Sequence, residues 1–131
     1  IMSSDWSSDV CSSDLLAEDD RQVRDLASTV LKRYGYRVLE ADRGQEALSI
    51  LENHDGPVHL LLTDLIMPDT NGKELFARVA SSHPYVKVLY MSGYTDDVIS
   101  HHGVLDYGVD FIEKPFNIKS LAAKVREVLD Q

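Results

Sequence analysis

Acidic, hydroxyl and basic residues stand at the ends of four apolar runs in this sequence. Glu18 and Asp19 follow the run "LLA", Asp64 closes "VHLLLTD", Ser92 closes "VKVLYMS" and Lys114 closes "VDFIEK". If these runs are parallel strands, their carboxyl ends meet at one edge of a sheet, where open α/β folds carry their functional crevice. The four strand ends therefore predict one pocket that contains three carboxylates, a hydroxyl and an ammonium group.

Such a pocket has a definite chemistry. Clustered carboxylates repel one another and tend to retain a proton unless a cation neutralises them. Mg²⁺ suits a site with a few carboxylates, a carbonyl and several waters. One carboxylate can then attack a phosphorus centre, while a lysine and a hydroxyl stabilise the charge on the phosphoryl oxygens. The residues predict phosphoryl transfer onto an aspartate.

Each of these residues also has a simpler explanation when it is taken alone. An acidic run such as "EDD" is favourable at a helix N-terminus, and an Asp or Ser at a strand end is common in turns. A lysine such as Lys114 is often only solvated. The coincidence of all of them at four successive strand ends favours the pocket.

Helical and extended patterns alternate along the chain and would position these residues. Strands are predicted over residues 15–17, 36–41, 58–64, 86–92 and 109–114. Apolar residues recur at helical spacing over residues 21–35, 44–53, 72–82, 95–105 and 117–130. Five strands that alternate with five helices predict an α/β fold with one parallel sheet and helices on both faces. A chain of 131 residues, 44% of them apolar, suits one such domain.

Composition narrows the possible partners and the compartment. Thirteen Lys and Arg residues oppose twenty-two Asp and Glu residues, and the net charge of −9 argues against direct nucleic-acid binding. No apolar run reaches the eighteen residues expected of a membrane span. Because Cys11 is the only cysteine, an internal disulfide is excluded. These features predict a cytoplasmic protein that does not contact a membrane.

Four segments, "AEDD", "LLLTDLIMPDTNG", "VLYMSGY" and "FIEKPF", resemble the response-regulator receiver domain of two-component signalling in order and spacing. The resemblance covers residues 15–131. It extends in particular to the receivers at the C-termini of hybrid sensor histidine kinases, in which "MSGYTDD" and "GVLD" segments recur. It implies a flavodoxin-like (βα)5 fold, with a single five-stranded parallel sheet in the order 2-1-3-4-5.

The resemblance also implies which residues hold the metal and the phosphate. Asp64 would be the phospho-acceptor. Asp19 would bind Mg²⁺ directly, and Glu18 would act on it through water. The backbone carbonyl of Ile66 would be the third protein ligand, a role for which its apolar side chain does not matter.

Three further residues would act on the phosphoryl group and report its presence. Lys114 would neutralise it, Ser92 would donate a hydrogen bond to it, and Phe111 would rotate inward when Ser92 moves. The phosphate would come from a phosphohistidine on a histidine kinase or a phosphotransfer domain. Phosphorylation would change the face formed by the fourth predicted helix (residues 95–105), the fifth predicted strand (109–114) and the fifth predicted helix (117–130). A downstream partner would bind to this face. Such a switch turns over no metabolite, so it is not an ordinary enzyme.

Two other functions remain open at this point. An inactive receiver could serve only as a docking module, although the complete set of site residues argues against this. A phosphatase of the haloacid dehalogenase type also uses an Asp nucleophile, Mg²⁺ and a lysine. That class requires a second Asp two residues after the first, and Ile66 occupies this position.

The N-terminal segment does not fit the rest of the sequence. The run "DWSSDVCSSDL", residues 5–15, resembles the translation of a short-read sequencing adapter. We therefore expect residues 1–14 to be a non-native or disordered extension and residues 15–131 to be the receiver domain. Asp14 falls where the first strand of the family has an inward apolar side chain. Because burying a carboxylate is costly, we expect the strand to be cut short or Asp14 to face outward.

Overall fold

A single parallel sheet organises the molecule. The computed structural model describes residues 13–54, 56–92, 110–114 and 116–130. Its sheet has the order β2-β1-β3-β4-β5, as expected for the flavodoxin-like arrangement. The strands are β1 (Ser13–Ala17), β2 (Arg37–Ala41), β3 (Leu60–Asp64), β4 (Lys87–Ser92) and β5 (Phe111–Glu113).

Four helices lie within the described part of the chain, and they are α1 (Arg21–Arg33), α2 (Gly44–Asn53), α3 (Gly72–Ser82) and α4 (Ile118–Leu129). Polar side chains begin three of them: Asp20 caps α1, Asn71 caps α3 and Asn117 caps α4. The helix predicted over residues 95–105 falls outside the described residues. None of the described helices combines the length and apolar character needed to cross a bilayer.

Apolar side chains cover both faces of the sheet. Leu16, Leu60 and Leu62 pack with residues of α1 and α4, whereas Leu15 and Leu61 on the opposite face pack with residues of α2 and α3. This division follows from the alternation of side chains along a strand. Because both faces are covered, the central strands read as nearly continuous apolar runs in the sequence.

The expectation for Asp14 is wrong in both of its forms. β1 is not cut short, since Ser13 and Asp14 belong to it and Asp14 pairs with both Val38 and Leu60. The Asp14 side chain is fully buried. β1 lies between β2 and β3, and helices cover both faces of the sheet. A side chain of this strand therefore has no solvent-exposed face to turn to, and Asp14 is buried with the apolar residues that follow it.

Candidate functional site

Three carboxylates meet at the carboxyl edge of the sheet. Glu18 and Asp19 directly follow β1, and Asp64 is the last residue of the neighbouring β3. One oxygen from each carboxylate lies within 4.8 Å of the others. Glu18 and Asp64 are buried, whereas Asp19 is exposed. The structure thus brings these three predicted site residues together, with one carboxylate open to solvent.

Lys114 joins this cluster from the end of β5. Its ammonium group lies 3.1 Å from Glu18 Oε1 and 3.2 Å from Asp64 Oδ2. Burial lowers the pKa of Lys114, but the charges of Asp64 and Glu18 outweigh this and raise the pKa above its usual value. The lysine is therefore a permanent cation at neutral pH, and its two hydrogen bonds are charge-assisted.

Glu18 uses both of its carboxylate oxygens within the protein. Oε1 accepts the bond from Lys114, and Oε2 accepts the N–H of Asp20 at 2.9 Å. Burial raises the pKa of Glu18 to about 7, because it outweighs the Asp20 N–H and the lysine, which both favour the charged form. Burial also raises the pKa of Asp64, although Lys114 opposes the shift. Of the three carboxylates, only Asp19 has open access to water.

The turn that carries the acid pair is held from two sides. The N–H of Glu18 donates to the carbonyl of Ala41 in the β2 edge at 3.1 Å. Arg24, in the first turn of α1, donates from Nη1 to the Glu18 carbonyl at 2.8 Å. Asp20 accepts the N–H groups of the same helical turn. The acid pair is thereby fixed to β2 and α1 before any ligand binds.

The two sides of the loop after Asp64 are joined by backbone hydrogen bonds. At its base, the N–H of Gly72 donates to the Leu65 carbonyl at 2.8 Å, and further along the N–H of Met67 donates to the Thr70 carbonyl at 3.0 Å. Ile66 lies between these bonds, in an isolated antiparallel bridge with Asn71. Its side chain is 52% exposed, whereas that of Met67 is buried. The backbone of Ile66 is thus held in a defined path beside Asp64.

The two predicted switch residues lie on adjacent strands. Ser92 is the last residue of β4 and pairs with Glu113, but its side chain lies outside the described part of the structure. Phe111 begins β5, pairs with Tyr90 and packs against the buried pair Leu65 and Tyr90. Phe111 therefore contacts Leu65, the residue that directly follows Asp64.

Sequence reasoning missed Arg24 and Asp69 as parts of this edge. A signal existed for Arg24, because a basic residue in the first turn of a helix opposes the helix dipole and needs a specific partner. Asp69 offered none, since an Asp in a turn is ordinary.

The match to known proteins covers nearly the same region as the fold. A family model described as the response regulator receiver domain matches residues 15–126. The chain belongs to this family. It is a receiver domain of two-component signalling, a family whose members accept a phosphoryl group. The resemblance seen in the motifs is thereby confirmed.

Individual relatives point in the same direction. The chain is 37% identical over 117 residues to the sensor kinase CckA of Brucella abortus, covering 89% of this chain but 12% of that protein. It is 30% identical over 115 residues to the receiver protein CpdR of the same organism, covering 88% of this chain and 94% of CpdR. The crystal structure of the receiver domain from the hybrid histidine kinase CckA has a TM-score of 0.75 at 36% identity, covering 90% of this chain and 99% of that one.

The donor set of this receiver domain fits a hard divalent cation. Glu18, Asp19 and Asp64 supply only oxygen atoms, and they lie close enough together to share one ion. Exposed Asp19 leaves room for bound waters, which Mg²⁺ retains in most protein sites. The acidic cluster could therefore hold a metal ion.

Proposed function

We propose that Asp64 accepts a phosphoryl group from a phosphohistidine on a histidine kinase or a phosphotransfer domain. The observation that carries this proposal is the placement of the Lys114 ammonium between Glu18 and Asp64, beside the exposed Asp19. Asp64 supplies a buried nucleophile, Lys114 supplies a fixed cation, and Asp19 supplies a metal ligand that is open to solvent. Phosphoryl transfer to a carboxylate requires these three parts.

Asp19 and Asp64 would bind Mg²⁺ directly, with the Ile66 carbonyl as third protein ligand and Glu18 acting through water. The metal, when bound, would neutralise charge on the phosphoryl oxygens. The engagement of both Glu18 oxygens with Lys114 and the Asp20 N–H supports its indirect role. In the transfer, a carboxylate oxygen of Asp64 forms the new O–P bond, the P–N bond breaks and the imidazole leaves with a proton.

Lys114 would hold the phosphoryl group after transfer. Its ammonium already binds Asp64 Oδ2, so that it needs only a small movement to reach an oxygen on the attached phosphorus. Ser92 would donate to another phosphoryl oxygen. Phe111, which packs with Leu65 and Tyr90, would rotate in response and change the face used by a downstream partner. The domain would act as a cytoplasmic switch rather than as a metabolic enzyme. The receiver would begin with β1, which includes Ser13 and Asp14, and residues 1–12 would be an extension.

Labelling with a small phosphodonor tests the proposal. The domain would be treated with acetyl phosphate and Mg²⁺, and its intact mass would be measured. We expect one added phosphoryl group in the wild type, none in Asp64→Asn, and normal labelling in Asp130→Asn, which makes the same substitution directly after α4. Failure to label the folded wild type would support a docking module. Rapid release of phosphate from a phosphate ester would support a phosphatase.

A further inference from the structure

The Asp69 carboxylate connects the loop after β3 to the first turn of α2. Its Oδ1 accepts the N–H of Gly44 at 3.1 Å, and its Oδ2 accepts the N–H of Gln45 at 2.8 Å. The local N-cap residue of α2, Arg43, makes no capping bond with its side chain. Asp69 therefore supplies, from 24 and 25 residues along the chain, the cap that the helix lacks locally.

This contact is favourable on both electrostatic and hydrogen-bonding grounds. The first N–H groups of a helix have no partner within the helix, and the N-terminus attracts negative charge. Desolvation raises the pKa of Asp69, but the bonds from Gln45 and Gly44 outweigh it and hold the pKa below its ordinary value. Asp69 is thus a carboxylate at neutral pH and keeps both bonds.

The same loop carries Ile66, only three residues before Asp69. The backbone hydrogen bond from the Met67 N–H to the Thr70 carbonyl joins the outgoing and returning halves of the loop. The Met67 side chain is buried. Thr70 in turn packs against α2, because a Cβ atom added at Gly44 would overlap the Thr70 Cγ2 atom. The loop is therefore fixed at its base by β3 and at its tip by α2.

We propose that Asp69 is a positioning residue for cation binding, and that it couples the metal site to the first turn of α2. This inference rests on the proposed role of the Ile66 carbonyl and Asp64 in holding Mg²⁺. If the tip of the loop is released from α2, the Ile66 carbonyl loses its fixed direction and must be ordered when the ion binds. Because such coupling is reciprocal, the bound ion also stabilises the contact between Asp69 and α2.

Titration of the unphosphorylated domain with Mg²⁺, followed by backbone-amide NMR, tests the affinity. We expect Asp69→Ala to weaken Mg²⁺ binding about fivefold or more, which is the lower end of the usual range of coupling between sites. Asp69→Asn should recover most of the affinity, since its amide oxygen can still accept one of the two N–H groups. Asp130→Asn, which makes the same substitution as Asp69→Asn but directly after α4, should bind as the wild type does.

Solvent exchange of the Gly44 and Gln45 amides gives a readout that does not depend on phosphorylation. Saturating Mg²⁺ should slow this exchange in the wild type and leave it unchanged in Asp69→Ala. Equal Mg²⁺ affinity in Asp69→Ala and the wild type would overturn the role of Asp69 and leave the proposed function standing. Equally weak binding by Asp69→Asn and Asp69→Ala would show that only the charge matters, which also overturns positioning. A wild type that shows no response to Mg²⁺ would overturn both proposals together.

Discussion

Gly72, the first residue of α3, packs against the backbone carbonyl of Asp64. A Cβ atom at this position would lie 2.5 Å from that oxygen and 3.1 Å from both Thr63 and Tyr90. Backbone cannot move aside as a flexible side chain can. The start of α3 and the carbonyl of the proposed phospho-acceptor therefore occupy fixed positions relative to each other.

Gly72→Ala should destabilise the domain by about 1–3 kcal/mol, as expected for an overpacked site. The measurement is the free energy of urea unfolding. Gly44→Ala is the matched control, because Gly44 also begins a helix but the close neighbour of its added Cβ would be a side-chain methyl group, that of Thr70, and not a backbone atom. We expect its effect to stay within about 1 kcal/mol, since Ala favours the helix and the Thr70 side chain can rotate. Equal effects of the two variants would contradict the importance of the Asp64 contact.

Lys114→Met should destabilise the metal-free domain more at pH 8 than at pH 5. Removing one partner of a buried ion pair leaves its carboxylates uncompensated, and the expected loss at pH 8 is about 3 kcal/mol. At pH 5, protonation of Glu18 relieves part of this cost, because burial raises its pKa even when the lysine is present. Urea unfolding at the two pH values with a chelator checks this. A loss that does not depend on pH would argue that the lysine acts by packing alone.

Glu18 should make the metal-free domain less stable as the pH rises from about 4.5 to about 7. Its pKa is 4.5 without burial and about 7 in the folded protein, so that the folded state retains the proton over this interval while the unfolded state loses it. The slope of unfolding free energy against pH is then negative. Glu18→Gln should remove this contribution. The measurement is the free energy of unfolding at a series of pH values with chelator present. Parallel pH profiles of the wild type and Glu18→Gln would refute the prediction.

Asp14→Val should stabilise the domain by about 1–2 kcal/mol at neutral pH, since a fully buried carboxyl group in a central strand is replaced by an apolar side chain. Valine also favours extended backbone. Thermal and urea unfolding measure the change. Asp14→Asn serves as control, because it leaves a polar group of similar size buried, and it should be less stable than Asp14→Val. If Asp14→Val is less stable than the wild type, the carboxylate has a favourable role in the strand.

Much of the fold was predictable because its signals are local or periodic. The bounds of α2 and α3 agree with the sequence pattern, and β3 and β4 agree to within two residues at their starts. The position of Asp64 at a strand end follows from the apolar run before it. Its meeting with Glu18 and Lys114 follows from the parallel order of the strands, which the resemblance to receivers also implied.

The family, the order of the elements and the residues expected at the carboxyl edge can all be predicted from the amino-acid sequence. The burial of Asp14, the bond from Arg24 to the Glu18 carbonyl and the capping of α2 by Asp69 become evident only in the folded chain. Apolar periodicity and local caps act over a few residues and leave a pattern in the sequence. Contacts between loops depend on the path of the backbone after the sheet has formed, and no local pattern encodes that path.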